Sequence, residues 1–195
     1  MGKKMAKDDK RDAILQATLE LVAEHGFHGA PCAMIAEHAG VAAGTIYRYF
    51  DNKDVLINAL YLDLEAKINT ALLDGYSPDK TIRERFTHLA ARLLVFFISS
   101  PMEFRYIEQF HNSPYGVEFR RDRILGHTNG CDIYLELFGL GVAEKVIKEL
   151  PVPVLFDLAF GPILGVARNH ILGFIQLNDE LIRQIAEACW DSLKR

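Results

Sequence analysis

The sequence predicts an all-α fold of about nine helices, divided between a small amino-terminal helix-turn-helix domain and a larger helical body. Three observations carry that expectation. Ile35 to Phe50, I-A-E-H-A-G-V-A-A-G-T-I-Y-R-Y-F, reads as two short helices separated by a tight turn. Apolar residues recur three and four apart through most of the remaining chain, which is the spacing of one helix face. Glycine and proline fall between those stripes, at Gly26, Pro31, Gly75, Pro78, Pro101 and Pro114, where helices stop and start.

Residues 1–9 read as a solvated tail. Lys3, Lys4 and Lys7, with Lys10 just beyond, are placed to touch phosphate or simply to face water. The first helix spans about Asp9 to His25, with Ile14, Thr18, Leu21 and Val22 on one face and Leu15 and Leu19 widening it. Gly26 ends that helix, and Phe27 plugs the core of the small domain. A second helix starts near Pro31, whose missing N–H costs nothing at a first helical position. Ile35 and Ala36 face inward from it. Gly40 leaves it where a positive φ is needed, Val41 fills the turn, and a third helix runs from about Ala43 to Phe50. So short a helix is not stable alone. Its aromatic residues need a reason to be there, and lying in the major groove of DNA supplies one.

In that reading Gly44 lets the backbone approach DNA closely. Thr45 bonds phosphate or touches a thymine methyl. Tyr47 donates its hydroxyl to phosphate, and Tyr49 does the same or packs on the first helix. Arg48 is the candidate for bidentate guanine readout. Ile46 and Phe50 point the other way, into the core. Asp51 or Asn52 caps the next helix. Lys53, at that helix's positive end, adds charge where phosphate is already favoured. The bland alternative is that the tyrosines only pack and Lys53 only faces solvent.

The fourth helix continues to about Leu73 through Leu56, Leu60, Leu64 and Ile68, and Gly75 closes it. Ser77-Pro78 opens a fifth, with Ile82, Phe86, Leu89, Leu93 and Phe96 or Phe97 on one stripe. Ser100-Pro101-Met102-Glu103 reads as a capping box for a sixth helix, which ends near His111. Ser113-Pro114 breaks the chain. A seventh helix begins near Glu118 and carries Ile124, Thr128, Cys131, Leu135 and Phe138. Gly139 and Gly141 mark a loop, followed by a short turn over Val142 to Leu150. The eighth helix covers about Val154 to Gly173, and Gly161-Pro162 is expected to kink or loosen it. Asn178-Asp179-Glu180 starts the last, striped by Ile182, Ile185, Ala186, Cys189 and Leu193.

Gly26-Phe27, then Ile35 to Phe50, then Lys53-Asp54-Val55-Leu56 follow the pattern G-[FY], I-A-x-x-A-G-V-x-x-G-T-[IL]-Y-x-[YH]-F, x-x-K-[DE]-x-L. Over roughly residues 10–57 the chain therefore resembles TetR-type transcriptional regulators. The resemblance implies a DNA-binding domain over residues 1–53 and an effector-binding and dimerisation domain over 54–195. It also implies an isologous dimer through the last two helices, about 152–193, which would present two heads to a palindromic operator. The chain departs from the pattern at Ala30, Cys32, Ala33, Ala42 and Ala43, where relatives commonly carry hydroxyl or basic residues that bind phosphate. That predicts a thinner phosphate network and a gentler salt dependence.

The aromatic-rich region 78–140 is where such regulators bind an inducer, and Phe97, Met102, Tyr106, Phe110, Tyr134 and Phe138 are the candidate lining residues. No acid or base is clearly committed to that interior, which points to a small, mostly apolar effector. His111 and His170 either hold a polar group of that molecule or are satisfied core histidines.

Composition sets the remaining bounds. The 195 residues are half apolar and carry a net charge of −4. Residues 1–53 hold seven Lys/Arg and seven Asp/Glu, so the acidity lies in the body. This argues against broad, non-specific coating of DNA. Three cysteines far apart fit a reduced cytoplasm better than a disulfide framework or zinc site. No run of eighteen apolar residues and no signal-peptide core occur, so the expectation is a cytoplasmic protein without a membrane span. His111, His127 and His170 are irregularly spaced, with no nucleophile elbow or phosphate loop, so neither an enzyme nor a resident cofactor is expected. A second reading keeps the DNA-binding head but lets a protein partner drive its action.

Overall fold

The computed structural model describes residues 7–124 and 133–195. Ten helices form among them: α1 Lys7–Gly29, α2 Cys32–His38, α3 Ala43–Ile46, α4 Lys53–Leu73, α5 Ile82–Ser99, α6 Pro101–His111, α7 Pro114–Ile124, α8 Ile133–Ala143, α9 Val152–Ile171 and α10 Asp179–Leu193. No strand forms among the described residues, and the β-pairing is an isolated bridge between Ile147 and Lys194. The tail lysines Lys3 and Lys4, and His127, Thr128 and Cys131, lie outside the described residues.

The chain divides into two compact units that do not follow a single cut. The first takes the residues up to Ala66 together with Met102–Phe119; the second takes Lys67–Pro101 and Arg120–Arg195. The first unit is built on α1, α2 and α3, with the start of α4, α6 and part of α7. Its core holds Ile14, Leu19, Val22, Ile35, Ile46, Leu56, Ile57 and Leu64, all nearly or fully buried. Gly26 breaks α1 with φ +74°, a conformation that favours glycine. The carbonyls stranded upstream of that break need donors. Gln109 of α6 supplies one, its side-chain amide lying 2.9 Å from the Val22 oxygen. Phe27 then packs edge-on against Tyr106 and Tyr115, the plug expected of it. Tyr106, fully buried, donates its hydroxyl to the Ile57 carbonyl of α4 at 2.7 Å.

The second unit packs α5, α9 and α10 together, with α8 against α5 and α9. Phe86, Phe138, Leu155, Ala159, Ile163, Ala186 and Leu193 are buried there. The inward residues of α9 fall four apart, Leu155, Ala159, Ile163 and Ala167, so one stripe is covered and much of the rest of this apolar helix is not. By length and composition α9 could cross a bilayer, and only 22% of its most apolar window is buried.

Several boundaries differ from the sequence reading. Pro31 is the N-cap of α2 and not its first residue. The expected helix 43–50 is regular only to Ile46, then tightens into a turn in which Arg48 and Tyr49 N–H groups bond the carbonyls of Thr45 and Ile46. α5 starts at Ile82, well past Ser77-Pro78, because Thr81 and Glu84 form a capping box: the Glu84 N–H donates to Thr81 Oγ1, and Glu84 Oε2 accepts from the Thr81 N–H at 3.0 Å. Ser113-Pro114 begins a helix instead of breaking the chain. The Ser113 hydroxyl donates to the Phe110 carbonyl at 2.6 Å, closing α6 as α7 opens. The expected seventh helix crosses residues 125–132, and its described parts are α7 and α8.

Gly139 and Gly141 lie inside α8, not in a loop. A Cβ on Gly141 would sit 2.4 Å from Ile147 Cδ1, so that glycine admits a buried isoleucine. Finally, α9 runs uninterrupted through Gly161-Pro162. Pro162 has no N–H to give the Leu158 carbonyl one turn back. The Ser192 hydroxyl of α10 lies 3.1 Å from that oxygen and takes over its satisfaction.

Candidate nucleic-acid interface

The helix-turn-helix is held by its turn. Ala39 is the C-cap of α2, and beyond it Gly40 has φ +64°. The Gly40 N–H bonds the Glu37 carbonyl, and the Val41 N–H reaches the Ala36 carbonyl at 2.9 Å. That pair of bonds is a Schellman closure, and it fixes the direction in which α3 leaves. From α3, Ile46 is fully buried and Phe50 nearly so, anchoring this segment on the core. Arg11 of α1 adds a second hold, its guanidinium 6.0 Å from the Phe50 ring centroid while it pairs with Asp63 of α4 at 3.1 Å.

With Ile46 and Phe50 fixed inward, the other side of the segment faces out. Ala42, Ala43, Gly44, Tyr47 and Arg48 are exposed, Tyr47 at 57%, and Thr45 and Tyr49 are half-buried. A Cβ on Gly44 would meet nothing within 4 Å, so the backbone at that position is open to an approaching molecule. Cys32 of α2 lies beside the Tyr47 hydroxyl and holds the phenol above its ordinary pKa. The Tyr49 ring leans on its chain neighbour Phe50, at 6.5 Å between centroids.

Lys53 is half-buried, and its ammonium donates to the Phe27 carbonyl. The lysine expected at phosphate thus also ties the start of α4 to the turn after α1. Asn52, not Asp51, is the cap: its Oδ1 accepts from the Val55 N–H at 2.9 Å. Tyr115 of α7 donates to Asp54 at 2.7 Å, and burial together with that carboxylate pushes its hydroxyl up to about 12. The Cys32–Tyr47 and Tyr115–Asp54 contacts escape the sequence reading. Both join residues brought together only by tertiary packing.

The six candidate effector-lining residues do not share a unit. Met102, Tyr106 and Phe110 belong to the first, where Phe110 stacks on Tyr61 at 3.9 Å and Met102 is exposed. Phe97, Tyr134 and Phe138 belong to the second. There Tyr134 meets Phe160 edge-on at 4.5 Å and Phe138 meets Phe156 edge-on at 5.3 Å. Phe156 and Phe160 of α9 do not stand out in the sequence, because their stripe also reads as an interface stripe. His111 Nε2 lies 3.2 Å from the Tyr61 hydroxyl, and His170 Nδ1 is 3.4 Å from the Leu177 N–H. Among the described residues, no group of three His, Cys, Asp or Glu side chains is arranged to hold a metal.

Comparison with known proteins also separates a head from a body. Residues 14–60 match the family model for bacterial regulatory proteins of the tetR family, and residues 81–194 match a tetracyclin repressor-like C-terminal domain. The fatty acid metabolism regulator protein of Bacillus subtilis is 33% identical over 161 residues, covering 80% of this chain and 81% of its own. An uncharacterized HTH-type transcriptional regulator of Haemophilus influenzae is 24% identical, covering 98% of this chain and 100% of its own. A crystal structure of a TetR family transcription regulator from Marinobacter aquaeolei superposes with a TM-score of 0.82 at 28% identity, covering 96% of each chain.

Proposed function

Because the chain belongs to the TetR family of bacterial DNA-binding transcriptional regulators, we propose that it is a homodimeric repressor, released from a palindromic operator by a small, mostly apolar effector. The observation that carries this reading is the two-faced segment 43–50. Ile46 and Phe50 are anchored in the core, while Gly44, Tyr47 and Arg48 stand clear of it. In the complex Arg48 reads a guanine edge. Tyr47, Thr45, Tyr49 and Lys53 contact phosphate, and Gly44 permits the close approach. Residues 1–53 carry the DNA contacts, and residues 54–195 carry effector binding and dimerisation. The site of action is the cytoplasm, where bacterial operators are.

The dimer reading rests on α9. A Cβ added at Gly161 or Gly165 would meet nothing within 4 Å, so no contact among the described residues calls for glycine there. Each mid-helix glycine nevertheless costs about 1 kcal/mol relative to alanine. A second copy of α9 and α10 lying close against them accounts for both glycines and for the uncovered apolar side of the helix. Effector binding is supported by the aromatic residues of α8 and α9 in the second unit. An effector releases DNA only if it favours the protein conformation that binds the operator poorly.

The test is binding to a labelled duplex of the DNA flanking the coding region, against a scrambled duplex, at two salt concentrations. Preference for the native duplex by about a thousandfold supports the repressor reading. Equal, weak binding to both would favour the partner-driven alternative, for which exposed Ala33, Ala42 and Ala43 leave room by presenting methyls where hydroxyls or cations would hold phosphate.

A further inference from the structure

The turn between α4 and α5 borders a half-open cavity of about 150 Å³ lined by Gly75, Tyr76, Ser77, Lys80, Glu84, Arg85 and His88. All seven lie in the second unit. We propose that this cavity binds a small oxyanion, a carboxylate or a phosphate group.

Arg85 is the centre of the argument. Its side chain is only 7% exposed, an unusual state for a guanidinium unless it is well paired. Its partners compensate it only in part. Nε donates to the Tyr76 hydroxyl at 2.6 Å, and Nη2 reaches Glu136 at 3.5 Å, a long contact to a half-exposed carboxylate. Nη1 makes no hydrogen bond to a described residue and is not sealed from solvent, so its two N–H groups are open to a molecule in the cavity.

The other walls supply what an oxyanion needs. Lys80 brings an ammonium that meets Glu84 at a loose 3.7 Å. The acid lining the cavity, Glu84, turns its Oε2 to the N–H and the hydroxyl of Thr81, and its Oε1 is the loose partner that an oxyanion would displace from Lys80. Ser77 contributes a hydroxyl. His88 has Nε2 at 3.2 Å from the Leu72 carbonyl, which makes Nε2 the donor there and ties this wall of the cavity to α4. Gly75, at φ +75°, turns the chain so that these groups converge. A guanidinium edge, an ammonium and a hydroxyl around a space of this size match a carboxylate or phosphate in shape and charge. The cavity shares no residue with the proposed DNA contacts or with the aromatic cluster of α8 and α9.

The experiment uses the full chain, isotopically labelled, with amide shifts followed during titration with inorganic phosphate and separately with acetate. Sodium chloride at matched ionic strength and pH is the reference. The expected result is a saturable response confined to the amides of residues 75–88 with one or both oxyanions. Whichever saturates at lower concentration tells phosphate from carboxylate. Lys80→Ala, on the surface, should weaken that response by about fivefold. Arg85→Lys keeps the buried charge but loses the planar fork, and should weaken it further. A response that chloride reproduces, one that does not saturate, or one that both variants leave unchanged would overturn the site.

Discussion

The Ser192 hydroxyl of α10 lies 3.1 Å from the carbonyl oxygen of Leu158, the acceptor that Pro162 leaves without its helical donor. The same hydroxyl sits 2.7 Å from the Cys189 carbonyl of its own helix, so one hydrogen is shared between two oxygens. Ser192→Ala should therefore cost about 1 kcal/mol in chemical denaturation, the ordinary value of a partly buried hydrogen bond. In a Pro162→Ala background, where the backbone itself regains an N–H to give Leu158, the same substitution should cost measurably less. Equal costs in both backgrounds would show that the hydroxyl serves only Cys189.

Arg48 is exposed, and its side chain makes no hydrogen bond or ion pair among the described residues, whereas its proposed role is base readout. Arg48→Ala should leave the midpoint of thermal unfolding nearly unchanged. It should also reduce discrimination between native and scrambled duplexes by about 1–3 kcal/mol. Loss of affinity for both duplexes in the same proportion would assign Arg48 to phosphate instead.

Lys53 should behave differently, because its ammonium already caps the Phe27 carbonyl. Lys53→Met keeps the aliphatic stem and removes the donor. It should lower stability by about 1 kcal/mol, and it should also lower the salt dependence of DNA binding by about one counterion. A salt slope identical to that of the parent would confine this lysine to the fold.

Glu84 is held below its ordinary carboxylate pKa, first by the Thr81 side chain and then by the Thr81 backbone N–H. Glu180 is lowered in the same direction by Arg183 and Gln184. A carboxylate with a depressed folded-state pKa contributes stability that is complete above its unfolded value, near 4.5 here. That contribution is lost as pH falls through the folded value. Stability should thus decline below about pH 4.5, and Glu84→Gln should flatten part of that decline while lowering stability at neutral pH. Denaturation profiles of the two proteins from about pH 3 to 7 make the comparison.

Gly165 separates subunit association from folding. A Cβ there meets nothing within 4 Å among the described residues. Gly165→Leu should stabilise the isolated helix by somewhat under about 1 kcal/mol, while wedging apart two copies of α9. The expected outcome in sedimentation is a folded monomer. A dimer of parental affinity would move the interface away from α9.

Where the backbone itself demands a residue type, the sequence is easy to read. Gly26, Gly40, Gly75 and Gly173 all have positive φ, and each marks a helix end or turn in the sequence. Ile46 and Phe50 are expected inward and are buried. The misreadings come from residues whose reason lies far along the chain. Gly141 looks like a breaker, yet it is glycine because Ile147 needs the space. Pro162 looks like a kink, yet Ser192, far along the chain, supplies the missing bond. Thr81 is a different kind of miss, since T-I-R-E is a local capping signal that competes with Ser77-Pro78 and wins. The outward side of residues 43–50, with Gly44, Tyr47 and Arg48 exposed, is legible as a group. The bond from Lys53 to the Phe27 carbonyl is not, because no local pattern says which carbonyl a lysine will find.

The make-up of the first compact unit bears on the order in which the protein can fold during synthesis. Gln109, Tyr106 and Tyr115 cover Val22, Ile57 and Phe27, yet they follow in the chain after all of α5. A ribosome that has released the chain only as far as Ala66 has made the DNA-reading helices without the segment that finishes their core. Closing the unit must wait for roughly fifty further residues, with the entropy cost of that intervening loop. Until then the aromatic and aliphatic face of α1 and α4 is open, and nascent chains would be most vulnerable to one another or to a protease in that interval.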